Sequence, residues 1–306
     1  MRVAIIGGGV SGLVTGYRLH EKHSVTLFEA NDYIGGHTNT IDVENEEGHF
    51  AIDTGFIVFN DRTYPNFIAL MDELKVASQP TQMSFSVSCE KTGLEYRGAD
   101  FSGLFAQRRN LVNPRFLRLL LDLVRFNKAG EKLLESEQEN ETVAEFFERN
   151  HFSSQFIEQY FLPMGAAIWS ASFDTFKKFP IRFIAEFYQN HGLLGVTNRP
   201  QWRVITGGSR QYIEPLTRDW VDQIHTKQPI IGVQRTDNGV TVLSKDGKSH
   251  PFDHVVFACH SDQALRILGE QASLNETEIL SAFPYHPNTA LLHTQESVLP
   301  KNKRAW

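Results

Sequence analysis

The sequence predicts an α/β protein: a parallel sheet with helices and a β-meander, interrupted by an inserted α+β region. Three observations predict this class. A β-rich run at the N-terminus leads through a glycine-rich turn into a helical segment, and a second β-rich run follows. Further β runs return near residues 229–258, two of them joined by a strong turn signal. Between these blocks, from about Gln79 to Thr197, the pattern changes to a β hairpin followed by several helices.

Arg2-Val-Ala-Ile-Ile6 is apolar after its first residue and β-branched, as a strand buried on both faces requires. Gly7, Gly9 and Gly12 then complete GxGxxG, spanned by Val10 and Ser11. Gly7 permits the tight turn, Gly9 lets backbone approach a diphosphate, and Gly12 lets the following helix pack closely on the strand. The segment from Ser11 to Lys22 reads as that helix, with its free N–H groups aimed at negative charge. Ser24-Val-Thr-Leu-Phe-Glu29 reads as the second strand and ends in an acid. Glu29 lies 17 positions after Gly12 and suits an acceptor for ribose hydroxyls. An acid here disfavours a 2′-phosphate, so NADP is not expected. Strand, loop, helix, strand and acid in this order predict a Rossmann-like dinucleotide-binding domain.

Composition narrows the alternatives. The 306 residues suggest two domains or one large one. A net charge of −6 and a pI near 6.1 argue against a nucleic-acid binder, which needs a basic surplus. Two cysteines, Cys89 and Cys259, imply no disulfide framework and fit a reducing, cytoplasmic compartment. The N-terminal apolar run carries four glycines between Val3 and Val14 and fits a strand entering a loop better than a signal peptide. No metal site is expected: HExxH is absent, and Pro251 separates His250 from His254. Cys259 beside His260 reads as a buried thiol rather than a nucleophile with its base.

After Glu29 comes Ala30-Asn-Asp-Tyr-Ile-Gly35-Gly36-His37-Thr38. Paired glycines beyond the acid let backbone reach a diphosphate from a second side. This block resembles the signature of the flavin amine oxidase superfamily, which includes monoamine oxidases, protoporphyrinogen oxidase and phytoene desaturases. The usual pattern is Glu-Ala-x-x-Arg-x-Gly-Gly-Arg; Tyr33 and His37 stand here in place of its arginines. Asp53-Thr-Gly55-Phe56-Ile57 resembles the family segment beside the flavin ring, with Phe56 replacing a glycine. Trp202 to Ser209 resembles the loop that returns the chain to the FAD domain, followed by an expected helix over Gln211–His225. Pro229 to Val233 resembles the strand that touches adenine, with Ile230 at the contact, and Asp253 to Ala258 a strand returning toward the dinucleotide. Asp237-Asn-Gly239 marks a hairpin between two β runs.

The resemblance implies an FAD domain at 1–78 and 198–282 and a substrate domain at 79–197 and 283–306. It implies FAD as cofactor, an oxidoreductase that passes hydride from an apolar or amine-bearing small molecule to flavin N5, and no obligatory acid or base. No catalytic residue is assigned. The lysine of many amine oxidases is expected near a strand at Asn288–His293, where Thr289 stands instead; this shifts the balance from amine oxidation toward desaturation or alcohol-like oxidation. The family pattern also includes a further glycine-rich segment, and the sequence reaches Trp306 before one. Alternatives are a flavin-dependent desaturase or isomerase of a lipid or polyprenoid, a non-catalytic binding protein of the same fold, such as the Rab escort proteins, and an NAD-linked enzyme.

In the middle region, Pro114 to Lys128 reads as one helix and Thr142/Glu145 as a capping box opening another. The charged stretch Glu131 to Glu141 reads as a solvated helix end and loop. Nearly two-thirds of the 23 phenylalanines fall in this region, as a pocket over a flavin or a plain Phe-rich core would both require. Arg115, Arg118 and Arg125 share a face of the first helix. That helix reads either as a core element with a solvent stripe or as one in weak peripheral contact with a membrane.

Overall fold

The computed structural model describes residues 1–136, 140–195, 199–287 and 289–306. The expected domain boundary at 197/198, residues 137–139 of the charged stretch and Asn288 lie outside the described residues. The chain divides into two compact units: 1–58, 66–79 and 204–290 form the first, and 59–65, 80–203 and 291–306 the second. Residues 283–290, expected in the substrate domain, cluster with the first unit, where Tyr285 stacks on His260. Residues 59–65 cluster with the second, where Phe59 and Asn60 pair with Arg203 and Trp202.

In the first unit, β1 (Arg2–Ile6) runs into α1 (Val10–Leu19) and β2 (Ser24–Phe28). A hairpin of β3 (Thr40–Asn45) and β4 (Gly48–Asp53) follows. The later elements are β5 (Ile224–His225), β6 (Ile230–Thr236), β7 (Gly239–Ser244), β8 (Ser249–Phe252), β9 (His254–Phe257), α2 (Ser261–Leu268) and α3 (Leu274–Ser281). The parallel sheet has the order β5-β2-β1-β9, so the strand that starts the chain sits in its interior. This explains why Val3 to Ile6 are all buried. β6, β7 and β8 form the expected antiparallel meander, with Thr236 opposite Gly239 at the turn. Ile6 and Phe28 of the sheet pack with Val233, Val242 and Phe252 of the meander and Leu268 of α2.

The expected helix over Gln211–His225 does not form as one element. Short turns cover Ser209–Tyr212, Ile213–Thr217 and Arg218–Gln223, and the chain then joins the sheet as β5. Pro215 removes a donor, and Trp220 leaves helical geometry (φ −143°, ψ 20°). That departure places the buried indole against Gly16 of α1, where a methyl group would lie 2.2 Å from the ring. The strand expected at Asn288–His293 is also absent among the described residues; Leu291 and Leu292 are exposed and unpaired by any neighbouring strand.

In the second unit, Ser86–Cys89 pairs with Leu94–Arg97 as the expected hairpin. The Pro114 helix extends to Leu134, six residues past its expected end, and the Thr142–Glu145 capping box is formed. Phe126, Phe146, Phe156, Phe161 and Phe176 are fully buried and pack together with Tyr188. These phenylalanines are core. The Arg face of the Pro114 helix contains a residue that the sequence reading passed over: Asp122 is fully buried and accepts hydrogen bonds from Arg118, Arg125 and the Ser153 N–H. Pro163, inside the helical stretch 154–169, has no N–H for the Gln159 carbonyl, which accepts the Tyr96 hydroxyl at 2.7 Å instead. No helix of the described residues is long and apolar enough to cross a membrane.

Candidate functional site

The glycine loop sits where β1 ends, and its shape follows from close backbone contacts. Gly7 has φ +114°, and a methyl group there would lie 2.5 Å from the Ala258 carbonyl oxygen. A methyl on Gly12 would lie 1.9 Å from the Gly7 carbonyl oxygen. Gly9 is different: a methyl there meets nothing within 4 Å. The loop is therefore tight below and open above Gly9. Gly9 is also the residue before α1 and has no side-chain cap, so the first N–H groups of that helix face the same opening. Val10 and Ser11, both exposed, border it.

Glu29 follows the last residue of β2. Glu29 is 8% exposed, and its carboxylate accepts the Gly8 N–H and the Asn31 N–H, each at 2.7 Å. Each oxygen keeps a further lone pair for a hydroxyl at the loop mouth. Ala30 continues the turn, exposed to solvent. The second glycine pair closes over the first loop. The Gly35 N–H donates to the Gly8 carbonyl at 2.7 Å, and a methyl on Gly36 would lie 3.0 Å from Gly9 Cα. Both glycines have positive φ, +116° and +59°. His37 then turns outward, while Thr38 is buried with its hydroxyl bonded to that of Tyr212.

The segment after β4 is tied to His37. The Phe56 N–H donates to the His37 carbonyl at 2.9 Å, and a methyl on Gly55 would lie 2.2 Å from the same oxygen. Phe56 packs edge-on against Phe67, and Ile57 is exposed. The Gly207-Gly208-Ser209 loop is held by Asp53, which accepts the Ser209 N–H, the Ser209 hydroxyl and the Thr40 hydroxyl. Sequence reading missed Asp53 as the clasp; its place at a strand end before a glycine was the available signal. Ile230 is buried in the meander core and opposite Ser244, while the Gln228 N–H two residues earlier donates to the Glu29 carbonyl. Its side chain is therefore core, and it is the chain two residues earlier that meets Glu29.

Gly7, Gly9, Val10, Ser11, Gly12, Glu29, Gly35, Gly36, His37, Gly55, Phe56 and Ala258 thus form one linked surface, with Ile230 behind it. The surface fits a dinucleotide. It offers open volume at a helix start, a carboxylate at the sugar position, and at its edge a Ser261 hydroxyl that is buried with no partner among the described residues. Partial burial pushes the Cys259 thiol up, which favours its protonated form. Among the described residues, no group of three His, Cys, Asp or Glu side chains gathers as a metal site.

A family model described as flavin containing amine oxidoreductase matches residues 10–303. The chain belongs to that family. The cofactor the family implies is FAD, in agreement with the fit above. Among curated relatives, the chain is 21% identical over 273 residues to human amine oxidase [flavin-containing] B, covering 87% of this chain and 51% of that one. It is 33% identical over 96 residues to a 1-hydroxycarotenoid 3,4-desaturase of Flavobacterium sp., covering 31% and 18%. Among solved structures, cyclohexylamine oxidase from Brevibacterium oxydans superposes with a TM-score of 0.69 at 21% identity, covering 92% of this chain and 62% of that one, which shows the shared fold. The chain spans about half or less of the length of these curated relatives.

Proposed function

We propose that this chain is an FAD-dependent oxidoreductase that takes hydride from an apolar or amine-bearing small molecule. When bound, FAD supplies the two-electron acceptor at flavin N5. The chain's own residues bind and orient it. The Gly7–Gly12 loop and the start of α1 present N–H groups to the diphosphate. Glu29 accepts ribose hydroxyls, Gly35 and Gly36 admit backbone from the second side, and Gly55 to Ile57 border the ring. One observation carries the reading: open volume directly above Gly9, beside a carboxylate that is nearly buried yet has no cationic partner among the described residues. The visible spectrum of the purified protein tests it. A yellow chromophore, present or restored by added FAD, is expected; no chromophore after FAD addition refutes the reading. Bleaching of the bound flavin by amines, unsaturated acyl chains or polyprenoids then assigns the substrate class.

A second reading, desaturation or isomerisation of a lipid or polyprenoid, is supported by the desaturase relative. A lipid substrate accords with weak peripheral membrane contact. Leu117, Leu121 and Val124 of the Pro114 helix are exposed beside Arg115, Arg118 and Arg125, and Val112 just before it is 81% exposed. Flotation with anionic liposomes tests this contact, and absence of binding refutes it. The two unpaired cysteines support a cytoplasmic location, which imaging of a tagged protein tests.

A further inference from the structure

The segments that build the cradle, 7–12, 29–40, 53–58 and 257–262, contain no lysine and no arginine. Their cationic side chains are His37 and His260 alone. Both leave backbone that touches the glycine loop. His37 follows Gly36, which lies against Gly9, and His260 follows Ala258 and Cys259, which lie against Gly7. The two imidazoles are near parallel, with centroids 6.2 Å apart and planes at 16°. Tyr285 stacks on the far side of His260 at 4.5 Å and 9°, and its hydroxyl accepts the Ser261 N–H at 3.2 Å. A column of three rings thus stands at the cradle edge, with the unpartnered Ser261 hydroxyl at its foot.

We infer that His37 and His260, steadied by Tyr285, are the side-chain cations for the FAD diphosphate, and that cofactor affinity is therefore linked to proton uptake. The inference rests on the FAD reading above. An arginine in the glycine-pair loop would hold its charge at every physiological pH; an imidazole gains its charge only near pH 6 to 7. Two imidazoles this close repel one another when both are protonated. A bound diphosphate removes that penalty and favours the charged forms, so binding takes up protons and strengthens as pH falls. The other titratable groups facing the column are Glu29, Asp262, Cys259 and Tyr285. Glu29 already accepts the Gly8 and Asn31 N–H groups, and burial pushes the Cys259 thiol up, toward its neutral form. Asp262, in the first turn of α2, has one carboxylate oxygen buried without a partner.

The test is an FAD titration of the apoprotein, read by quenching of flavin fluorescence, at about pH 6, 7 and 8 in constant salt. FAD's diphosphate keeps its charge over this range, so any slope belongs to the protein. A one-unit rise in the pKa of one imidazole on binding, from about 6.5, gives about a sixfold gain in affinity between pH 8 and pH 6. His37→Asn and His260→Asn are expected to weaken binding at pH 6 and flatten the slope. His37→Arg is expected to bind at pH 8 as tightly as the native chain does at pH 6. Native affinity that is unchanged from pH 6 to 8, or a native slope retained in both Asn variants, overturns the inference while leaving FAD binding intact. A chain that binds no FAD at any pH overturns the flavin reading, and this inference with it.

Discussion

Gly9 and Gly12 differ by three positions in one motif, and the structure gives them opposite fates on substitution. Gly9 has φ −72° and ψ 177°, extended backbone that alanine adopts freely. A methyl there meets nothing within 4 Å. Gly9→Ala reduces unfolded-chain entropy, worth about 0.4–1 kcal/mol of stability. It also replaces glycine by a poorer helix-capping residue, at a comparable cost of about 0.5–1 kcal/mol. The apoprotein is therefore expected to unfold within about 1 kcal/mol of the native chain. The same methyl stands in the path of the diphosphate. Overpacking of about 1–3 kcal/mol weakens FAD binding roughly 5- to 150-fold. Gly12→Ala behaves otherwise, because its methyl would lie 1.9 Å from the Gly7 carbonyl oxygen and 3.3 Å from Ala258 Cβ. Backbone must move, and a stability loss of about 3 kcal/mol or more is expected. Urea denaturation of the apoproteins and FAD titration by fluorescence quenching measure both quantities. Native FAD affinity in a folded Gly9→Ala variant would refute the cradle as the cofactor site.

Glu29→Gln removes an acceptor from one of two N–H groups held at 2.7 Å; stability should fall by about 1.5–3 kcal/mol and FAD binding by about tenfold or more, and native values in both titrations would remove Glu29 from the site. Asp122→Asn breaks a fully buried carboxylate from Arg118, Arg125 and the Ser153 N–H and should cost about 3 kcal/mol in urea unfolding. Burial alone would raise the Asp122 pKa, but the Ser153 hydrogen bonds and then the two arginines outweigh it, and the carboxyl lies below its ordinary 3.8. A depressed pKa contributes stability above about pH 4 and loses it as pH falls through the folded value. The native chain should thus weaken on acidification below pH 4 more steeply than Asp122→Asn, and parallel acid limbs would contradict this. Tyr96→Phe strips the Gln159 carbonyl of the donor that Pro163 cannot supply; a loss of about 1 kcal/mol is expected, and an unchanged urea midpoint would show that water replaces the phenol.

Local pattern carried the N-terminal block almost completely. β1, the glycine loop, α1, β2 and the acid follow from apolar β-branched residues, from positions only glycine can fill, and from the order in which they occur. The same holds for the Asp237–Gly239 hairpin and the Thr142–Glu145 cap, whose hydrogen bonds span only a few residues. Tertiary structure decided what distant residues do to one another. Nothing in Gln211–His225 read alone reveals that Trp220 must leave a helix to fill the space beneath Gly16, some two hundred residues earlier. Nor does sequence bring Asp53 to Ser209, Asp122 to Ser153, or His37 to His260 and Tyr285. The physical reason is range. Backbone sterics and capping act within a turn and are written in neighbouring letters. A buried carboxylate, an open cradle or a column of rings exists only when chain segments far apart in sequence pack within a few ångströms.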